Sequence, residues 1–279
     1  MKLLKALNQH LYPSQSQHSQ KIEEYFGKDN IINNTQQHKF LESIEITFIC
    51  FINRSGSTLL TELMSNHGYP TMKFLEPFNY DHVIKRSKES NITSFSEYLY
   101  NLVKENSVNN KLALKIANNQ LFWLSKNGFL SQFSKVNFIY AKRKDILKQA
   151  ISMVIALQTS KWLSFEKYEI SEEKQTELLS EITNKTILGC VRGVTQSYAL
   201  FDYFFSLHNI QPIVIYYEDI VENKQLTIER CFNYLKFPYS TNSVKPTLMK
   251  TQYTDLNKKL EMRFRKKFDL FNQSSVIKL

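Results

Sequence analysis

Apolar residues follow two rhythms along this chain, and the two take turns. Nearly unbroken apolar runs open Ile46–Leu60 and Lys111–Leu124, fill Val136–Ala141 and recur in Pro212–Ile220. Runs of this kind predict buried strands. Between them, apolar residues return every three or four positions. The sets are Leu59, Leu60, Leu63 and Met64; Phe95, Tyr98, Leu99 and Leu102; Ile146, Leu147, Ala150, Ile151, Val154 and Ile155; and Val194, Tyr198, Phe201 and Phe205. That period predicts helices. The first stops near Gly68, the second spans Asn91–Asn106, the third is N-capped by Asp145, and the fourth spans Thr186–His208. Two more are predicted over Leu226–Leu235, closed by Pro238, and over Asp255–Leu270. Thr71–Val83 starts as a short strand, and Pro77 forbids a regular helix there, so Glu76 and Asn79 fall in a loop.

Strands alternating with helices at this spacing predict an α/β fold, three layers with a central, mostly parallel sheet flanked by helices. Ligands of such sheets bind at the carboxyl ends of the strands. Three polar turns are expected there: Asn53–Thr58, Lys142–Lys144 and Glu218–Asp219. The organisation reads as a polar, peripheral segment over residues 1–40, rich in Gln, Asn, His and Ser, followed by one domain over 41–279.

Composition narrows the ligand class. With 279 residues, 42% of them hydrophobic, the chain is long enough for a sizeable core. A net charge of +10 suits anionic ligands. The N-terminal segment lacks the dense positive charge of a nucleic-acid tail, so no nucleic acid is expected. Three cysteines without motif spacing fit reduced, buried thiols. No run approaches the roughly 20 apolar residues of a membrane span, and a cytoplasmic protein is the expectation.

The chemistry concentrates in Asn53–Thr58, NRSGST, which joins the first strand to the first helix without a spacer. Strand, tight turn and helix together aim backbone N–H groups at an anion. The nucleotide P-loop, GxxxxGK followed by Ser or Thr, is absent. The shorter turn suits one phosphate, held by the N–H groups of Ser55, Gly56, Ser57 and Thr58 and by the hydroxyls of Ser57 and Thr58. Arg54 supplies charge for the bridging oxygen as a bond breaks. No histidine pairs with cysteine or acid at metal spacing, so no metal is expected.

RSGSTLL after an apolar strand resembles the 5′-phosphosulfate loop of sulfotransferases that use 3′-phosphoadenosine 5′-phosphosulfate (PAPS). A second stretch is similar to the 3′-phosphate site of the bacterial trehalose and nodulation-factor sulfotransferases. It runs from Arg143 through Gln149-Ala150-Ile151-Ser152 to Gln158-Thr159-Ser160-Lys161-Trp162. The resemblance implies a P-loop-like fold and metal-free, in-line transfer of a sulfuryl group from PAPS to a hydroxyl of a carbohydrate or glycolipid. It implies that Arg54, Ser55, Gly56, Ser57 and Thr58 hold the 5′-phosphosulfate, and that Arg143 and Ser152 hold the 3′-phosphate. Lys115 and Asn119 match residues near the acceptor, and a homodimer is what the relatives suggest.

The match departs from the family at the general base. The trehalose-type enzymes carry a carboxylate three residues after the glutamate that Glu76 matches, and here that position is Asn79, which takes no proton. Glu76 is the first candidate, with Asp81 and His82 behind it. Gln252, Arg263 and Arg265 fall at family-like spacing, in a segment expected to fold over the cofactor, and Leu260 replaces an expected Trp. Trp162 reads as a buried structural side chain, with a place lining the acceptor site or the adenine pocket as the alternative. Two other readings stay open: a kinase-like phosphotransferase using ATP and magnesium, and an inactive relative that kept the nucleotide site.

Overall fold

The computed structural model describes residues 16–27, 35–162, 171–239, 246–248 and 253–269. They begin with helices α1 (Gln17–Phe26) and α2 (Thr35–Leu41), strand β1 (Glu45–Cys50), and helices α3 (Ser57–Asn66), α4 (Tyr80–Glu89) and α5 (Phe95–Asn106). Strand β2 (Lys111–Ile116), helix α6 (Asn118–Lys126), strand β3 (Lys135–Lys142) and helices α7 (Ile146–Thr159), α8 (Glu172–Glu181) and α9 (Asn184–Leu207) follow. Strand β4 (Ile213–Tyr216) and helices α10 (Tyr217–Glu222), α11 (Lys224–Tyr234) and α12 (Asp255–Lys267) complete them. The strands form one parallel sheet in the order β2-β1-β3-β4, flanked by helices, which is the α/β architecture expected. Among the described residues no helix is long and apolar enough to cross a membrane.

The described residues fall into two compact units, those within Met1–Lys142 and Ser197–Thr247, and those within Arg143–Gln196 and Leu248–Leu279. The first holds the sheet. Every residue of β1 after Glu45 is buried, because β1 is flanked by β2 and β3 and covered on its faces. Phe138 and Tyr140 of β3 meet Phe201, Phe204 and Phe205 of α9 at ring separations of 5.3–6.2 Å. Helix α1 is docked rather than loose. Ile22 is fully buried, His18 meets the Trp123 ring edge-on at 6.0 Å, and Trp123 Nε1 donates to Glu23 at 3.3 Å. Burial brings the His18 pKa down to about 4. Residues 1–15 and 28–34 lie outside the described residues.

Three expected boundaries shift, each for a local reason. The strand expected over Pro212–Ile220 ends at Tyr216, and only Ile215 of β4 is fully buried, as suits an edge strand. Glu218 and Asp219 therefore stand in the first turn of α10, where the helix dipole favours acids. The strand expected from Thr71 shrinks to one bridge to Ala113, beside Pro70, whose carbonyl accepts the Ala113 N–H but which has no N–H to give. The helix expected from Asn91 starts at Phe95, because Ser94 accepts from the Glu97 N–H as N-cap and Asn91 is left-handed at φ 53°.

The second unit packs α7, α8, α12 and the part of α9 up to Gln196. Its core is Ile151, Val154, Ile155, Leu178, Ile182, Ile187, Leu256, Leu260 and Phe264. Leu260, which the family resemblance expected to be Trp, is fully buried in that core.

Candidate functional site

The turn after β1 is built from two left-handed residues. Arg54 has φ 68° and Gly56 has φ 85°, with Ser55 between them donating its N–H to the Ile52 carbonyl at 3.0 Å. Helix α3 then begins at Ser57 with Gly56 as N-cap, a residue with no side chain to cap the first turn, and no acid stands in that turn either. The first N–H groups of a helix have no intrahelical partner, and an uncapped end of this kind is the ordinary setting for an anion. Ser55 is 0% exposed, and among the described residues its hydroxyl oxygen has no hydrogen-bond partner. An unsatisfied buried hydroxyl costs about 1–3 kcal/mol, so the turn is built at the expense of stability. These features fit a phosphate or phosphosulfate group.

Lys115 approaches the same turn from β2. It is paired in register with Ile49 and lies one residue before the strand's end. Its side chain is buried at 2% exposure. The ammonium reaches Thr58 Oγ1 at 3.3 Å, stands 3.7 Å from the Glu76 carboxylate and lies 5.5 Å over the Phe51 ring. Burial pulls its pKa below the usual lysine value, and Glu76 pushes it back up. The loop carrying Glu76 is pinned on both sides. Tyr98 donates to the Pro77 carbonyl, Phe78 is buried against Phe48 at 6.1 Å, and Thr61 donates to the Lys73 carbonyl at 2.6 Å.

Asn79 has a structural task. It is the N-cap of α4, and its side-chain oxygen accepts the Asp81 N–H at 3.0 Å. An amide serves that purpose as well as a carboxylate does. Asp81 and His82 lie in the first turn of α4, and it is Glu76 that the fold brings to Lys115. His82 is half-buried, and burial, then Arg86 and Lys85, hold its pKa below the ordinary value. Asn119 is engaged locally, accepting the Gln120 N–H at 3.0 Å.

Lys142, the last residue of β3, is also committed within the first unit. It stands 3.8 Å from Asp202 and lies over the rings of Tyr140 and Tyr198 at 4.7 and 5.0 Å. Arg143 and Ser152 belong to the second unit. There Asp145 caps α7 as expected, accepting the Lys148 N–H at 2.9 Å, and Ser152 sits half-buried on that helix beside the fully buried Gln149. Arg265 bonds Asp145 at 3.2 Å and Glu261 at 2.8 Å. Arg263 spends its guanidinium on the carbonyls of Leu179, at 2.6 Å, and Ile182. It thus ties α12 to α8. Gln252 lies outside the described residues. Trp162 is 38% exposed rather than buried, because it follows the end of α7 instead of facing the core.

Arg54, Ser55, Gly56, Ser57, Thr58, Glu76 and Lys115 thus belong to one unit, and Arg143 and Ser152 to the other. Among the described residues no three His, Cys, Asp or Glu side chains gather as a metal site would need. One neighbour of the turn escaped the sequence reading. Tyr217, the first residue of α10, packs against Gly56. The only signal was an aromatic residue at the carboxyl end of a strand.

A family model described as Stf0 sulphotransferase matches residues 117–267. No curated protein sequence matches the chain. Two solved structures resemble it in outline. A sulfotransferase from Alicyclobacillus acidocaldarius aligns at 14% identity and TM-score 0.43, over 79% of this chain and 91% of its own. The sulfotransferase domain from the curacin biosynthetic pathway aligns at 16% identity and TM-score 0.45, over 84% of this chain and 94% of its own.

Proposed function

The chain belongs to the Stf0 sulphotransferase family, and from that premise we propose that it moves a sulfuryl group from PAPS to a hydroxyl of a carbohydrate or glycolipid, in line and without a metal. The observation that carries this reading is the uncapped start of α3. It combines a buried hydroxyl without a partner at Ser55 with a buried ammonium at Lys115. Bound PAPS would supply an activated sulfuryl group on a phosphate leaving group. The N–H groups of Gly56, Ser57 and Thr58 and the hydroxyls of Ser55, Ser57 and Thr58 would bind its 5′ end; the Ser55 N–H, expected from the sequence to join them, is instead given to the Ile52 carbonyl. Arg54 would neutralise charge on the departing phosphate. Arg143 and Ser152 would bind the 3′-phosphate, a group that suits a planar guanidinium.

Glu76 takes the proton of the acceptor hydroxyl at its carboxylate oxygen. Lys115, 3.7 Å from that carboxylate and 3.3 Å from Thr58, stands between the proton acceptor and the loop. Its ammonium is desolvated, so its field on oxygens that gain charge is screened less than it would be in water. A cytoplasmic homodimer completes the reading, and sedimentation would test the dimer.

Calorimetry with 3′,5′-adenosine bisphosphate and with AMP is the direct test. Tight binding of the bisphosphate and much weaker binding of AMP is the expected result, and Arg143→Ala should erase the difference. Equal affinities, or magnesium-dependent turnover of ATP, would overturn the proposal. Labelled donor offered with a panel of sugars and glycolipids then identifies the acceptor.

A further inference from the structure

The anion loop is held in shape by a ring from a distant part of the chain. Gly56 has two separate reasons to be glycine. Its φ of 85° is the first, since a side chain there is strained. That reason alone is incomplete, because Arg54, two residues earlier in the same turn, carries a full side chain at φ 68°. The second reason is space. A Cβ built on Gly56 would stand 2.5 Å from Tyr217 Cδ2 and 3.2 Å from both Cβ and Cγ of the same residue. No relaxed structure holds carbons at 2.5 Å, so the ring lies directly on the loop backbone.

Tyr217 is delivered there by the sheet. It follows β4, and in the order β2-β1-β3-β4 its strand is separated from β1 by β3. The ring therefore reaches past the end of one strand to touch the turn of another. Helix α10 starts at Tyr217 itself, with Tyr216 still extended as its N-cap, so the ring's position is set by the point where β4 ends.

We propose that Tyr217 is a positioning residue for the Asn53–Thr58 loop, its ring fixing the backbone at Gly56 so that the start of α3 keeps its anion-binding shape. The Ser55 N–H bond to the Ile52 carbonyl closes the loop from within, and the ring packs on it from outside. The ring adds a constraint by packing against the backbone at Gly56. The functional half of this proposal rests on the anion-binding reading above; the structural half does not.

The test uses the full chain and the variants Tyr217→Phe, Tyr217→Ala, Gly56→Ala and the double variant Gly56→Ala/Tyr217→Ala. Hydrogen exchange of the amides at 54–60 is read without ligand, and affinity for 3′,5′-adenosine bisphosphate is read by calorimetry. Tyr217→Ala should speed exchange in the loop while the amides of β1 keep their protection. It should weaken the bisphosphate about tenfold to a hundredfold, the range a misplaced binding group costs. Tyr217→Phe should keep the wild-type exchange pattern. Gly56→Ala should be worse than Tyr217→Ala, and the double variant should recover part of the loss, because the methyl then has room. Unchanged loop exchange in Tyr217→Ala, or a double variant no better than Gly56→Ala, would overturn the proposal. So would a Tyr217→Phe variant as damaged as Tyr217→Ala. If the wild type binds no bisphosphate, the functional reading fails, and exchange together with rescue of melting still decides the role of Tyr217.

Discussion

The two ends of the β1–β2 pair carry the same chemistry to opposite purposes. At the amino end, Glu45 accepts from Lys135 at 2.9 Å and Asn137 at 2.8 Å, and pairs with Lys111 as well. Burial opposes its charge, but those three partners outweigh burial and lower its pKa to about 2. At the carboxyl end, four positions along the same strand from Lys111, Lys115 is more deeply buried, and its carboxylate partner stands 3.7 Å away. One cluster is fully partnered and ties three strands together. The other holds a desolvated cation with a distant counter-charge, which costs stability and leaves a field for a further anion. The difference separates a carboxylate that ties the sheet together from a lysine that the proposed function would use.

Substitutions at the two ends should therefore have opposite profiles. The largest effect is expected for Lys115→Met. Turnover with PAPS should fall about a hundredfold to a thousandfold, the usual loss of one electrostatic donor in an active site. Wild-type turnover in that variant would remove Lys115 from the reaction. Next comes Glu45→Gln, expected to cost about 1–3 kcal/mol in denaturant unfolding while turnover of the folded enzyme is kept.

The same cluster predicts a pH dependence. The folded-state pKa of Glu45 lies below its unfolded value, so its stabilisation is complete above about pH 4.5. It fades as pH falls through about 2. Melting curves of the wild type should show this acid limb, and Glu45→Gln should flatten it. An identical limb in both proteins would mean that the cluster is not the cause. The smallest effect is expected for the melting temperature of Lys115→Met, which should stay level or rise by a few degrees, since a buried charge is removed. A clear fall would make Lys115 a structural residue like Lys111.

Local features were legible in the sequence. Asp145 could be read as a cap because capping acts over three residues, and the burial of β1 followed from an unbroken apolar run. The sheet order was not legible, because β-strand neighbours are chosen by tertiary packing. Tyr217 on Gly56, Asp202 under Lys142 and Arg263 on the end of α8 join residues far apart in the chain, and no spacing rule announces them. Asn79 carries a second role that the family pattern did not announce. Against the family pattern it reads as an amide at a base position, and in this fold it also starts a helix.

That capping role makes Asn79 a position of low evolutionary resistance. Aspartate starts a helix as well as asparagine, so Asn79→Asp exchanges an amide nitrogen for an oxygen without loosening α4. Melting should be unmoved, and the pH profile of turnover would report whether proton acceptance had migrated from Glu76.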